Sequence, residues 1–252
     1  MQLKLLEYFV YRDHVMFRRS GYYFTFLFFL AGVGFWESYF SKFFVGIDSV
    51  PHFTEINSYI HFHAASMLLW ISMLITQASL IRFNKRTLHR LIGKFSYPLF
   101  PVLVISIILL AHSQISIHDY GISYGRLYVL FLQLLLMVIF IIAYVFAIIN
   151  RHSPASHARY MISGALTMVD PAVARIPIEI PPLPFSYQVL TFSLIDLILI
   201  VLIVMERNQK QGRTVFPIML CVIVTFQAFN LLWTRSEVWD DFALWFAKLP
   251  LT

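Results

Sequence analysis

The chain has 252 residues, 59% of them hydrophobic and 13% charged, with a formal net charge of +6 and a mean hydropathy of +0.73. A soluble globular chain is about a quarter charged, so a water-covered surface is excluded and lipid must be the main solvent. The positive charge sits in short turns between apolar stretches, which is an orientation signal of membrane proteins and not a polyanion-binding face, so no nucleic-acid partner is read.

In chain order the pattern predicts an all-α fold, a polytopic membrane protein forming one membrane domain over residues 1–252. Residues 1–17 mix apolar and charged side chains and read as a cytoplasmic amphipathic or flexible start. No cleavable signal peptide is read, because the first long apolar run follows Arg18 and Arg19 and is long enough to span. A bundle of about seven transmembrane helices is expected, at about 21–43, 57–81, 88–112, 124–149, 157–176, 187–205 and 215–233. Pro98 and Pro101 predict a kink in the third span. The fifth is the least apolar, and carries Asp170-Pro171 and Arg175 before a proline-rich loop. The tail over 236–252, with Trp239, Trp245 and Phe246, reads as an interfacial helix or an extension of the last span. Cys221, the single cysteine, excludes a disulfide within the chain.

With these spans, fourteen Lys and Arg fall on one side and five on the other. The excess of basic residues predicts a cytoplasmic N-terminus and an external C-terminus.

Ionisable residues inside a span cost at least ~2.5 kcal/mol each at the centre and normally face a partner. Seven of them fall in the outer half: Glu37, His61, His63, His112, Asp170, Arg175 and Asp196. Two readings stay open. In one they converge in a pocket that binds a metal, carries protons or grips a polar group. In the other each acid pairs separately to fix helix packing, Asp170 with Arg175 or a tyrosine, and Asp196 with a serine or histidine. Residues two apart on a helix differ by about 200° in direction, so His61 and His63 meet one ion only if the helix start is distorted. A metal set of His61, His63 and His112 follows from the first reading.

At the inner face, His89, Arg90, His157 and Arg159 form a candidate anion or lipid head-group rim, because helix starts leave backbone N–H groups free for anions. Haem b is the cofactor alternative to a divalent metal. It would sit between His61 or His63 and His112, or between His89 and His157, although the basic inner setting suits a lipid phosphate better. Gln77, Gln133, Gln227 and Asn230 read as interhelical hydrogen-bonders, and Gly93 as a point of close helix approach.

Several spaced motifs carry a resemblance. His61-Phe-His-Ala-Ala-Ser-Met-Leu-Leu-Trp70, Leu88-His-Arg-Leu-Ile-Gly93, Phe95-Ser-Tyr-Pro-Leu, His157-Ala-Arg-Tyr-Met161 and Asp170-Pro-Ala-Val-Ala-Arg175 together resemble a family of bacterial predicted membrane proteins of unknown function. The similarity covers about Tyr22 to Met205. It implies a multi-span inner-membrane fold, marks His61, His63, His89, His157 and Arg175 as motif positions, and supplies no activity. In histidine placement alone the chain is also similar to the diheme ferric reductases of the cytochrome b561 type, but none of their motifs is reproduced.

Function is therefore expected from an intramembrane His/carboxylate site that binds metal or haem for redox chemistry or oxidation of a lipid-like substrate. The alternatives are a proton-coupled transporter using Asp170 and Asp196, and a non-catalytic membrane subunit or scaffold. Membrane lipid is the expected partner, with a membrane-protein partner or a homo-oligomer as the further expectation. No nucleotide-binding loop, nucleophile elbow or soluble domain is read, so ATP-driven and hydrolytic classes fit poorly.

Overall fold

The computed structural model describes residues 20–43, 57–115, 122–176 and 187–252. The expected amphipathic start at 1–17 lies outside them. The described residues are helical, with no strand among them. In order they form α1 (Ser20–Gly34), a 3-10 turn (Phe40–Phe43), α2 (Ser58–Arg82), α3 (Arg86–Gly93), α4 (Ser96–Gln114) and α5 (Tyr124–Ile149). Then come α6 (Pro154–Leu166), α7 (Val169–Val173), α8 (Tyr187–Glu206), α9 (Val215–Trp233) and α10 (Glu237–Ala247).

Five of these, α2, α4, α5, α8 and α9, are long and apolar enough to cross a membrane. The shortest of their apolar stretches has 19 residues, about 28 Å at 1.5 Å per residue, which matches a hydrocarbon core of about 30 Å. Only 28–33% of each spanning window is buried inside the protein, so most of the apolar surface faces outward. Phe29, Leu69, Ile149, Met205 and Leu232 stand on that surface, each more than 60% exposed. Such a face is stable against lipid and not against water.

The expected spans at 21–43 and 157–176 are not continuous helices. In the first, α1 stops after 15 residues and the chain winds through turns to Phe40–Phe43. Gly34, at its end, packs directly on the Ala172 backbone of α7, where a Cβ would have no room. In the second, the chain breaks between α6 and α7. Pro171 has no N–H to donate to Thr167, four residues back, and its ring crowds that carbonyl. The helix tightens there into i→i+3 bonds, with Thr167 N donating to Gly164 O and Met168 N to Ala165 O. Pro98 acts in the same way on the expected third span, which divides at Lys94–Phe95 into α3 and α4. Pro101 sits inside α4 without ending it.

The core forms where α2, α4 and α5 pack together. Trp70, 1% exposed, lies with its ring centroid 5.1 Å from Phe140, 5.6 Å from Tyr144 and 6.3 Å from Phe100. Phe100 and Tyr144 stack at 4.0 Å, and Tyr144 OH donates to Ser96 Oγ at 2.9 Å. α1 packs on α2 and α7, α6 on α5, and α9 on α8, α5 and α6. α10 is a separate helix capped by Ser236, not an extension of α9. It is held on α5 by Trp239 Nε1, which donates to Leu127 O at 3.1 Å.

Candidate functional site

At the end of the bundle where α2, α5 and α8 begin and α4 finishes, four elements bring polar groups to one depth. His63 is on the second turn of α2, Ser106 two turns from the end of α4, Tyr128 on the second turn of α5, and Gln188 and Thr191 at the start of α8. His63, Ser106, Tyr128 and Thr191 lie one to two turns in, roughly 6–12 Å along the helices, with Gln188 at the first turn of α8. The α6–α7 break delivers Asp170 into this layer, because a helix continuing without interruption would carry its own axis past the site.

Asp170 is 1% exposed. Its Oδ1 accepts from Gln188 Nε2 at 2.5 Å, and Gln188 Nε2 also reaches Thr191 Oγ1 at 2.9 Å. Thr191 Oγ1 donates in turn to Gln188 O at 3.0 Å. Asp170 Oδ2 has no hydrogen-bond partner among the described residues, and neither has the buried hydroxyl of Tyr128, although the two residues lie within electrostatic range of each other. Burying a polar atom without a partner costs about 1–3 kcal/mol, so each of these two atoms lowers the stability of the bundle.

Arg175 lies within electrostatic range of both Asp170 and His63. Its guanidinium donates to Pro171 O at 2.8 Å and sits 4.7 Å above the Phe35 ring. That anchors the cation to α7 and to the turn after α1. His63 Nδ1 is 3.1 Å from Ser106 Oγ, and that hydroxyl already donates to Leu103 O at 2.7 Å. Its proton is therefore committed, so Nδ1 must donate to Ser106, and Nε2 is the nitrogen left to exchange a proton.

The other outer candidates lie elsewhere. His61 Nδ1 hydrogen-bonds Tyr39 OH at 2.9 Å. Glu37 is exposed in the turn after α1. His112 is buried against Phe246, and its Nδ1 hydrogen-bonds Thr252 Oγ1 at 2.6 Å. Asp196 Oδ1 accepts from Gln227 Nε2 at 3.1 Å across α8 and α9. His61, His63 and His112 thus have three different partners, and no group of three or more His, Cys, Asp or Glu able to hold a metal ion exists among the described residues. The arrangement does not fit a three-histidine metal centre.

At the opposite end the expected rim is divided. Arg159 is 1% exposed and forms an ion pair with Glu206 of α8. Its Nη1 also donates to Ala155 O at 3.0 Å and to Gln211 O at 2.9 Å. It is a tie between α6 and the α8–α9 turn and not a head-group contact. Gly212 in that turn has φ +68, and a Cβ there would stand 2.6 Å from Arg159 Nη1. Gly212→Ala is expected to destabilise by about 1–2 kcal/mol from backbone strain alone, and more if the guanidinium is displaced. A thermal melt in detergent checks this, and an unchanged midpoint would contradict it.

His157 Nδ1 donates to Ala147 O at 2.8 Å. His89 is held differently. With its nitrogen toward His89, the Gln77 amide donates to Nδ1 at 2.6 Å and to the His89 carbonyl at 3.0 Å, and accepts from Gly93 N at 3.2 Å. Only this orientation suits both backbone groups. Burial holds the His89 imidazole below its ordinary range, and the neighbouring His157 and Arg90 charges push the same way against the Gln77 carbonyl. His89 Nδ1 also stands 3.3 Å from the Gln77 backbone carbonyl.

The motif residues were visible in the sequence, but several of their partners were not. Tyr128 is one of 13 tyrosines. Gln188 and Thr191 are ordinary residues at a helix start. Glu206 closes an apolar span as any interfacial residue does, and the only signal for it is the Gly212 turn six residues on. Comparison with family models, curated proteins and solved structures finds no match to this chain.

Proposed function

We propose that this multi-pass membrane protein is a carrier that passes a proton, with a small protic solute, through the site at the α6–α7 break. The single observation behind this reading is Asp170: a carboxyl 1% exposed at a helix interruption, with one oxygen held by Gln188 and the other without a partner among the described residues. Ionisable groups at membrane depth mark ion and proton pathways, and interrupted helices are the usual place for them because broken backbone is tolerated only where it lines a cavity or is buried in protein. Asp170 exchanges the proton, His63 Nε2 is the neighbouring acceptor, and Arg175 supplies the compensating charge. The excess of basic residues at the α2–α3 and α6 ends supports a bacterial plasma-membrane orientation with those ends cytoplasmic.

In proteoliposomes with a trapped pH indicator and an imposed gradient, the wild-type protein should collapse the gradient faster than empty vesicles. Asp170→Asn should slow that collapse by roughly 10²-fold, the scale of a lost proton-transfer group. Asp196→Asn should leave it near wild type, because Asp196 pairs with Gln227 outside the cluster. Equal rates for wild type and Asp170→Asn would overturn the proposal.

A further inference from the structure

The 8-residue helix α3 has three distinct faces. At about 100° per residue, Arg86, Arg90 and Lys94 share one arc, Leu88, Leu91 and Phe95 a second, and His89, Ile92 and Gly93 a third. The structure separates them by burial in the same way. The basic and apolar arcs are exposed, with Leu91 at 56% and Phe95 at 64%, while the third arc is partly covered against α2. Apolar side chains of that exposure are stable only in lipid, and cations of that exposure only at water or phosphate. A helix with both, beside spanning helices, lies in the plane of the membrane interface.

Arg90 and Lys94 on this face have no acidic partner among the described residues. Between Asn57 and Val169 the only acidic residue in the sequence is Asp119, and the one salt bridge among the described residues is Arg159–Glu206, inside the bundle. Phe83 and Lys85 extend the same exposed mixture into the preceding turn, and Arg82 lies 4.6 Å above the Tyr22 ring.

We propose that α3 is a binding surface for the phosphate head group of an anionic phospholipid. Arg90 and Lys94 hold the phosphate, and Leu88, Leu91 and Phe95 lie among the acyl chains. The site is independent of the Asp170 cluster, which sits at the opposite end of the bundle.

The test is a binding isotherm of a fluorescent phosphatidylglycerol to the full-length protein in neutral detergent, with phosphatidylcholine as the comparison. Phosphatidylglycerol should bind more tightly, and its affinity should fall with added salt. The double variant Arg90→Ala/Lys94→Ala, with an unchanged melting curve, should bind it roughly thirtyfold more weakly, at the usual contribution of two surface cations to anionic lipid. Leu91→Gln should weaken both lipids together. Equal affinity for the two lipids in the wild type overturns the proposal without reference to any variant. Displacement by inorganic phosphate at matched concentration also overturns it, since the surface would then serve a soluble anion.

Discussion

Glu206→Ala should be the most damaging single substitution in the chain, costing about 3–5 kcal/mol. Removing one partner of a buried ion pair leaves an uncompensated charge, and that, not the lost attraction, sets the size of the effect. Here the stranded group is Arg159, 1% exposed and held also by the Ala155 and Gln211 carbonyls, neither of which carries a compensating charge. For a chain of this length the loss corresponds to a fall in apparent melting temperature of roughly 10 °C or more. Glu206→Gln should recover part of it by keeping one acceptor. The double variant Arg159→Met/Glu206→Leu should recover more, because neither charge is then buried. A thermal melt in detergent separates these cases, and a Glu206→Ala protein as stable as wild type would show that the pair does not tie α6 to α8.

Trp70→Ala should follow, at roughly 3 kcal/mol or more. In lipid the transfer of apolar surface drives association weakly, so helix packing rests on van der Waals contact. Trp70 makes that contact with Phe100, Phe140 and Tyr144 across α2, α4 and α5. Truncation removes contacts to three rings at once, and a buried void forfeits them outright. Trp70→Phe should lose about half as much. Melting curves of the two variants check the order, and equal stability of Trp70→Ala and wild type would contradict a core built around this side chain.

Much of the architecture is legible in the sequence. Spans α2, α4, α5, α8 and α9 follow from apolar length alone, because satisfying the backbone in lipid leaves few alternatives to a helix. Hydropathy does not tell where a helix stops inside an apolar run. Phe35 to Phe43 mixes aromatic residues with Glu37 and Lys42, and the chain leaves the helix at Gly34, where it meets the α7 backbone. Pro171 and Pro98 are local causes of breaks, and their effect is readable once the carbonyl four residues back is considered. The site is legible only in part. Asp170, Arg175 and His63 stand out as ionisable groups at membrane depth. That these three share a locus while His61, His112, Glu37 and Asp196 do not depends on which helices pack together. Arg159 shows the reverse: its basic neighbours suggest a surface rim, while the ion pair with Glu206, 47 residues on, turns it inward.

The most direct test of the Asp170 site is infrared difference spectroscopy of the reconstituted protein across a pH titration. The carbonyl stretch of a protonated carboxylic acid should appear and disappear with the pH of the bathing buffer, shift in heavy water, and vanish in Asp170→Asn while persisting in Asp196→Asn. A carboxyl band that ignores buffer pH, or that survives unchanged in Asp170→Asn, would contradict proton exchange at this residue.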